Sequence, residues 1–175
     1  MPDSRLSDSA LAGLDAMISV TAQAWIDAGL VEHNSYGVQV VVAARPGTDF
    51  EGASRHSFPH DVEGSQLGGD WFIDNVAGKI RICETTGMDS HLAIRVHPGA
   101  LVGLRGAFPW GGAIIDPVYG LIVGTSGFHE DEDILFSRTV LAHLALALDR
   151  EGTAALMAAR EREHGDDAVT ARFTR

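Results

Sequence analysis

One stretch of the chain, GLIVGTSGFHEDED at residues 120–133, combines two patterns that could belong to a ligand site. Its apolar first half reads as a strand that ends in Thr125-Ser126-Gly127. Small hydroxyl side chains followed by glycine let a ligand approach the backbone closely, and ligand sites often lie on such loops. We therefore predict that these three residues form the wall of a pocket.

The second half of the stretch places four consecutive acids, residues 130–133, directly before a long apolar run. Carboxylates in the first turn of a helix face the positive end of the helix dipole, and each contributes roughly 0.3–1 kcal/mol. Asp131 or Asp133 can also accept a hydrogen bond from an unpaired backbone N–H group. We interpret the acids as residues that start a helix.

Lys79 is the only lysine among the 13 basic residues of the chain. At 100° per residue, Asn75, Lys79 and Thr86 share one side of a predicted helix. This side adjoins an apolar stripe that contains Ile80 and Cys83. A polar set beside a buried face can line a cleft, although it more often forms a solvated flank. Both interpretations stay open at this point.

The histidines offer metal or acid/base chemistry. His56 and His60 are four residues apart, but Pro59 between them rules out a shared helical face, and no third ligand is identifiable, so we predict no metal site there. His91 and His129 stand near element ends and close to polar residues. Either could ligate an iron or transfer a proton near neutral pH, and a surface or capping role is the alternative.

Standard catalytic signatures are missing from the sequence. There is no GxGxxG after a strand, no GxxxxGK[ST], no GxSxG and no HExxH. The single cysteine, Cys83, lies in an apolar stripe, where a thiol is usually inert. From the residues alone we predict a small-molecule cleft and no particular reaction.

The elements that must position these residues follow from hydrophobic periodicity and turn residues. We predict a helix from Ser7 or Ser9 to near Gly29, a strand at 36–44, a return strand at 50–58, a helix at 70–86 closed by Gly87, a helix at 89–96, strands at 108–116 and 121–125, and a helix at about 132–150 followed by a weaker helical piece. The stripe expected to be buried on the last long helix is Ile134, Leu141, Ala145 and Leu148. This order predicts an α+β fold, an antiparallel sheet with helices packed on it.

Composition excludes several classes of function. The length of 175 residues predicts one domain, which we place at 1–152, with 153–175 as a helical, partly frayed tail. The formal net charge of −11 argues against a nucleic acid or an anionic membrane as partner. A single cysteine fits a reducing compartment. With no secretory signal and no apolar run long enough to span a bilayer, we predict a soluble, cytoplasmic protein.

Three segments together resemble the GlcG/HbpS-like haem-binding family, to which the C-terminal domain of PduO-type cobalamin adenosyltransferases is related. They are NVAGKIRICETTGMDSH (75–91), GAFPWGG (106–112) and LIVGTSGFHEDED (121–133). The shared pattern is K-x-R-x-x-x-x-x-G on a helix with a serine soon after it, a Gly/Phe/Pro stretch, and GxSG ahead of an acid-rich helix start. The resemblance implies a profilin-like α/β/α sandwich with a five-stranded antiparallel sheet. It also implies homo-oligomers and, in some members, haem or corrinoid binding or slow haem degradation.

The residues that match the family's motifs by position are Lys79, Ser90, Phe108, Pro109, Gly124, Ser126, Gly127 and Asp133. We predict that these, with Asn75, His91 and His129, bind the ligand, and that Lys79 and Ser126 are the catalytic pair if a reaction takes place. The chain departs from the family at Leu104-Arg105, where many members have His-Gly, so a ligand supplied there is missing.

Three functions stay open. The first is a haem- or tetrapyrrole-binding protein with His91 or His129 as the axial ligand. The propionates of the haem would face Lys79, Arg81 and Arg105. The haem macrocycle would lie in an apolar slot with Phe108 and Trp110.

The second is a small-molecule hydrolase, isomerase or decarboxylase. Lys79 would be its electrostatic or acid/base group, and Ser126 with backbone N–H groups would receive an oxyanion. The third is a ligand-free oligomeric adaptor, in which side chains fill the space around Lys79 and Ser126. The first two require Lys79 to approach Ser126 and Gly127 around a hollow that admits a ligand.

Overall fold

The computed structural model describes residues 8–31, 38–44, 54–58, 69–101 and 111–164. In chain order the elements are α1 (Asp8–Leu11), α2 (Leu14–Asp27), β1 (Val38–Ala44), β2 (Ser54–Phe58), α3 (Gly69–Thr86), α4 (Ser90–Val96), a 3₁₀ turn (Pro98–Leu101), β3 (Ala113–Asp116), β4 (Leu121–Ser126) and α5 (Glu130–His164). The α+β class predicted from the sequence is confirmed.

The described strands form one sheet in the order β2-β1-β4-β3, and every neighbouring pair is antiparallel. All four predicted strands are present, and the parts of them at 36–37, 50–53 and 108–110 lie outside the described residues. The described part of the chain contains no fifth strand of the kind that the family resemblance implies. The profilin-like fold therefore stays a proposal.

Helices cover both faces of the sheet. Val38, Val40 and Val42 of β1 pack with α2 and α5 on one face, while Val41 and Ala43 pack with α3 on the other. A strand buried on both faces is what a continuous β-branched run predicts. The sheet is thus the middle layer of three, and its central strands are β1 and β4.

The N-terminal helix is divided at Gly13, a break that the prediction of a single helix missed. Gly13 has a φ of 81°, in the left-handed region, immediately before α2. Leu14, Ile18 and Ala22 follow at spacings of four and are buried in the core. The helix ends at Asp27, close to the predicted stop near Gly29.

The last helix differs from its prediction in length and in register. The predicted end near Arg150 is wrong, because α5 continues through Gly152 to His164; one glycine lowers helix stability by only about 1 kcal/mol. The predicted buried stripe is confirmed only in part: its four residues are half-buried, and two of them, Leu141 and Leu148, pack against the core. The buried face comprises Asp133, Phe136, Ser137, Val140 and Leu144. Because two residues of this face are polar, a stripe chosen for apolar residues alone did not identify it.

The strand β4 divides its side chains between the two layers, as strand geometry requires. Leu121 and Val123 face α2 and α5, whereas Ile122 faces α3. By the same alternation, Ser126 at the end of the strand lies on the α3 side. Among the described residues, no helix is long and apolar enough to cross a membrane.

Candidate functional site

Lys79 occupies the centre of the candidate site. It lies on the sheet-facing side of α3, where its side chain is only 2% exposed. Its Nζ atom donates hydrogen bonds to Asp133 Oδ2 at 2.8 Å and to the backbone oxygen of Thr125 at 2.8 Å. The ammonium group therefore joins three elements, α3, β4 and α5.

Asp133 is the buried anion that accompanies Lys79. It lies in the first turn of α5, and its Oδ1 atom accepts a hydrogen bond from the backbone N–H group of Phe128 at 3.1 Å. Burial raises the pKa of the Asp133 carboxyl to about 6, although the Lys79 ammonium acts in the opposite direction. The Asp133 carboxyl therefore loses its proton at a higher pH than an ordinary aspartate does.

The four acids at residues 130–133 lie in four different environments, so a role in starting the helix does not account for all of them. Glu132 accepts a hydrogen bond from the backbone N–H group of His129 at 3.0 Å, as in a capping box, and Asp131 is exposed. Glu130 accepts a hydrogen bond from the N–H group of Gly111 at 3.0 Å. Asp133 is buried on Lys79. The helix-start interpretation holds for Glu132 and is incomplete for Glu130 and Asp133.

Two glycines allow the close approach around Lys79. A Cβ atom on Gly124 would lie 2.9 Å from Val76 Cγ1 and 3.1 Å from Ile80 Cγ1, so a bare Gly124 lets α3 lie directly on β4. A Cβ atom on Gly112 would lie 2.7 Å from both Lys79 Nζ and the Thr125 oxygen. The sequence analysis assigned Gly124 to ligand binding and did not single out Gly112; the structure places both at packing positions.

A cavity of about 290 Å³ opens beside the Lys79–Asp133 pair, where α3 meets the junction of β4 and α5. Six of the predicted ligand-binding residues line it: Asn75, Lys79, Ser126, Gly127, His129 and Asp133. The sequence analysis did not assign the other lining residues, Phe72, Phe128 and Glu130, to the site. Phe72 lies three residues before Asn75 on α3, and this helical spacing was the signal that could have identified it.

Asn75 is a buried polar residue on the cavity wall. Its side chain is 3% exposed, and its Oδ1 atom has no hydrogen-bond partner among the described residues. Buried amide groups are nearly always hydrogen-bonded, and an unpaired one destabilises the folded state by about 1–3 kcal/mol. The side chain of Asn75 therefore has hydrogen-bonding capacity that the described fold leaves unused.

Other predicted ligand-binding residues lie outside the cavity lining. Ser90 Oγ accepts a hydrogen bond from the Ala113 N–H group at 2.9 Å and donates to the Ala113 oxygen at 3.2 Å, so it anchors the start of β3. His91 is buried against Gly111, and burial lowers its pKa. Phe108 and Pro109 lie outside the described residues.

Among the described residues, His56 and Cys83 lie outside the cavity lining. His56 pairs through Nδ1 with the carboxylate of Asp15 on α2, and His60 lies outside the described residues. Burial raises the pKa of the Cys83 thiol to about 12, in keeping with an inert thiol. Within the described ranges, no three His, Cys, Asp or Glu side chains cluster in a way that could hold a metal ion.

The described residues around the cavity do not suit haem, and Arg105, Phe108 and Trp110 of the haem hypothesis lie outside the described residues. Of the described lining residues only His129 could be an axial ligand, because His91 is packed elsewhere. Lys79 is already paired with Asp133, and Glu130 adds a second carboxylate, which would repel propionates. A volume of about 290 Å³ also falls at the lower limit for pockets that hold drug-sized ligands. We derive no haem chemistry from this site.

The oxyanion site that the enzyme hypothesis requires also has fewer available hydrogen-bond donors than expected. The N–H groups of Phe128 and His129 already donate to the carboxylates of Asp133 and Glu132. The remaining elements of that hypothesis on the cavity wall are Lys79 and Ser126.

Comparison with known proteins adds no relative: no protein-family model, curated protein or solved structure matches this chain.

Proposed function

We propose that this protein binds a small organic molecule in the cavity between α3 and the β4–α5 junction. The observation that carries the proposal is the combination of a buried Lys79–Asp133 pair and a buried Asn75 side chain on the wall of one cavity, with no partner for its Oδ1 atom among the described residues. The buried pair alone would be weak support, because such a pair can be a structural link between elements. Its position beside an open volume and an amide oxygen with no partner in the described part of the chain favours a ligand site.

The ligand-free adaptor is less well supported. It expects side chains to fill the space near Lys79 and Ser126, whereas both residues line a cavity of about 290 Å³. A cavity with both aromatic and polar lining is the default position for a small-molecule site.

The wider assignment is part of the same proposal. We propose a protein of the GlcG/HbpS type that forms homo-oligomers in the cytoplasm and binds neither nucleic acid nor membranes. The three motif segments, the antiparallel sheet between helical layers and the net charge of −11 support this assignment. Haem is not the ligand that we propose.

A second candidate is an enzyme that acts on the same ligand. The raised pKa of Asp133, about 6, favours it, because an acid/base group works best when its pKa lies near the working pH. In this reading Asp133 and Lys79 exchange a proton with the substrate, and Ser126 orients the substrate. A cluster of titratable residues with a perturbed pKa on a cavity wall is a recognised indicator of an active site, although structural pairs also produce it.

Nuclear magnetic resonance can test the proposed binding site. We expect a charge-balanced set of small fragments to include compounds that shift the backbone signals of Ser126 and Gly127 saturably. The double variant Lys79→Met/Asp133→Leu should lose those shifts, because it removes both charges together. The matched control is Tyr119→Phe/Asp149→Asn, which removes an exposed side-chain hydrogen bond away from the cavity lining.

Two outcomes would contradict the proposal. One is that no fragment shifts the cavity signals of the folded wild-type protein. The other is that fragments bind the double variant as well as the wild type. A parallel hemin titration should give neither a Soret shift nor saturation, and saturable binding with a Soret shift would restore haem as the ligand.

A further inference from the structure

Charge on the cavity wall limits the class of molecule that this site can accept. The only ammonium or guanidinium group among the described lining residues belongs to Lys79, and Asp133 neutralises it at 2.8 Å. Glu130 adds a carboxylate with no lysine or arginine partner in that lining. An anionic ligand would therefore be taken out of water beside a net negative wall, which is strongly unfavourable without a paired cation.

The polar groups on the wall favour a ligand that forms neutral hydrogen bonds. Asn75 is 3% exposed, and none of the described residues forms a hydrogen bond with its amide oxygen. A primary amide can both donate and accept, so it can pair with a ligand that offers either group or both. Ser126 lies on the same wall and can also do both.

The remaining wall is aromatic. Phe72 and Phe128 both line the cavity, and the Phe128 ring packs against the core residue Phe136 with ring centroids 5.6 Å apart. This contact holds the Phe128 ring in place, so that the ring presents an apolar surface to the cavity. A ligand with an apolar body would remove that surface from water at about 25 cal/mol per Å².

We infer that the cavity takes an uncharged or cationic organic molecule, with an apolar body and a hydrogen-bonding group placed against Asn75, and that it discriminates against carboxylates. The inference rests on the proposed function and specifies the class of its ligand. Glu130 would interact with a cationic group of the ligand. The neutralised Lys79–Asp133 pair would lie next to a polar uncharged group.

Benzamide, benzamidine and benzoate test this inference, because they share one ring and one overall shape and differ in charge. At pH 7.5, benzamide or benzamidine should shift the Asn75 side-chain amide signals and the Ser126 and Gly127 backbone signals saturably. Benzoate should bind at least about tenfold more weakly, which corresponds to about 1.4 kcal/mol. Binding of benzoate as tight as that of benzamide would overturn the inference.

Asn75→Leu isolates the role of the amide. We expect it to weaken benzamide binding about tenfold, because the ligand then loses its partner inside an apolar wall. Thr86→Val is the control on the same helix, since the Thr86 hydroxyl bonds to the Ile82 oxygen and lies outside the cavity lining. Unchanged benzamide affinity in folded Asn75→Leu would remove Asn75 from the inference and overturn it.

A charge-balanced fragment set separates this inference from the proposed function. If the three benzene compounds do not bind but other fragments do, the charge of those fragments decides: uncharged or cationic compounds support the inference, and carboxylates overturn it. If no compound of any charge binds, the proposed function itself fails and the inference falls with it.

Discussion

Lys79 and Asp133 approach each other from opposite helical layers and meet at 2.8 Å beside the end of β4. Lys79 belongs to α3, on one face of the sheet, and Asp133 belongs to α5, on the other. The Thr125 oxygen accepts a further hydrogen bond from the same ammonium group. The pair therefore links both helical layers to the strand between them, at the point where the cavity opens.

Breaking one side of this pair should be more harmful than removing both. Lys79→Met leaves a buried carboxylate, and Asp133→Leu leaves a buried ammonium, so each should lower the free energy of unfolding by about 3–5 kcal/mol. The double variant should lose less than the sum of the two, because no charge is left unpaired. Urea unfolding at pH 7.5 of the wild type and the three variants gives the coupling energy.

A surface pair supplies the comparison. Arg138 and Asp89 lie 3.9 Å apart, and the Arg138 side chain is 55% exposed, so their coupling should be at most about 1 kcal/mol. Additive losses for the Lys79 and Asp133 variants, within about 0.5 kcal/mol, would show that the two charges are not coupled.

The meeting of Lys79 with the end of β4 could be anticipated from two periodicities. Strand alternation places Ser126 on the α3 side. Helical spacing places Asn75 and Lys79 one turn apart on one face of α3. Both periodicities are local properties of the chain. The family resemblance added the expectation that the two segments lie together, and the structure places Asn75, Lys79 and Ser126 on one cavity wall.

The partner of Lys79 could not be selected from the sequence with the same reasoning. Four neighbouring carboxylates suit a helix start equally well, and only the packing of α5 decides which of them is turned inward. The same packing places Asp133 and Ser137 on the buried face of α5. The role of Gly112 could not be predicted from the sequence either, because it depends on the distance to Lys79, which is remote in the chain.

Gly112→Ala should disturb the site more than alanine at a glycine with open space around it. A Cβ atom there would lie 2.7 Å from the Thr125 backbone oxygen and from Lys79 Nζ, at a φ of 128°, outside the left-handed region that other residues can adopt. Gly120→Ala is the milder comparison, with a φ of 66° in that region and nothing within 4 Å. We expect a loss of about 1–2 kcal/mol for Gly120→Ala and about 3 kcal/mol or more for Gly112→Ala.

Thermal unfolding of both variants measures the difference in stability. Fragment binding to Gly112→Ala should also weaken, because the Lys79 ammonium group is displaced. Equal destabilisation of the two variants would show that neither the contacts nor the φ of 128° at Gly112 adds to the cost of alanine.

Opposite effects are expected for alanine at two further glycines. Gly124→Ala places a Cβ atom 2.9 Å from Val76 Cγ1, which should separate α3 from β4 and destabilise the protein by about 1–3 kcal/mol. Gly152→Ala lies inside α5 with nothing within 4 Å of its Cβ position, so it should stabilise the protein by about 0.5–1 kcal/mol. Urea unfolding compares them. A stabilising Gly124→Ala would contradict the close packing of α3 on β4.

The raised pKa of Asp133 predicts a pH dependence of stability. The Asp133 carboxyl has a pKa of about 6 in the folded protein, against an ordinary value of 3.8, so the folded state holds the proton more tightly. This contribution is complete only well below the ordinary pKa of 3.8 and is lost as the pH rises through about 6. Relative to Asp133→Asn, the wild type should therefore lose about 2 kcal/mol between pH 4 and pH 7.

Carbon-13 titration of the Asp133 carboxyl gives the pKa directly, and urea unfolding across the same pH range gives the difference in stability. An Asp133 pKa at or below the ordinary value, or a wild type that gains on Asp133→Asn as the pH rises, would show that pairing with Lys79 outweighs burial.

Asn75→Leu should separate stability from binding. Leucine has the same number of side-chain heavy atoms, with the same branching and no polar atom, so it removes an amide oxygen that is unpartnered among the described residues. We expect the free energy of unfolding of the ligand-free protein to rise by about 1 kcal/mol, because the penalty for an unsatisfied buried group is lifted. Ser90→Ala is the matched case of a satisfied group. It breaks two hydrogen bonds to Ala113 and should lower stability by about 1–2 kcal/mol.

The contrast between these two variants tells a ligand-binding amide from a structural one. An amide kept for binding gives a more stable protein when it is replaced by leucine, together with weaker binding of benzamide. An amide kept for structure gives a less stable protein, as expected for Ser90→Ala. Urea unfolding in the absence of ligand, paired with benzamide titration of each variant, measures both quantities. Destabilisation of Asn75→Leu by more than about 1 kcal/mol would show that the Asn75 amide is satisfied within the fold.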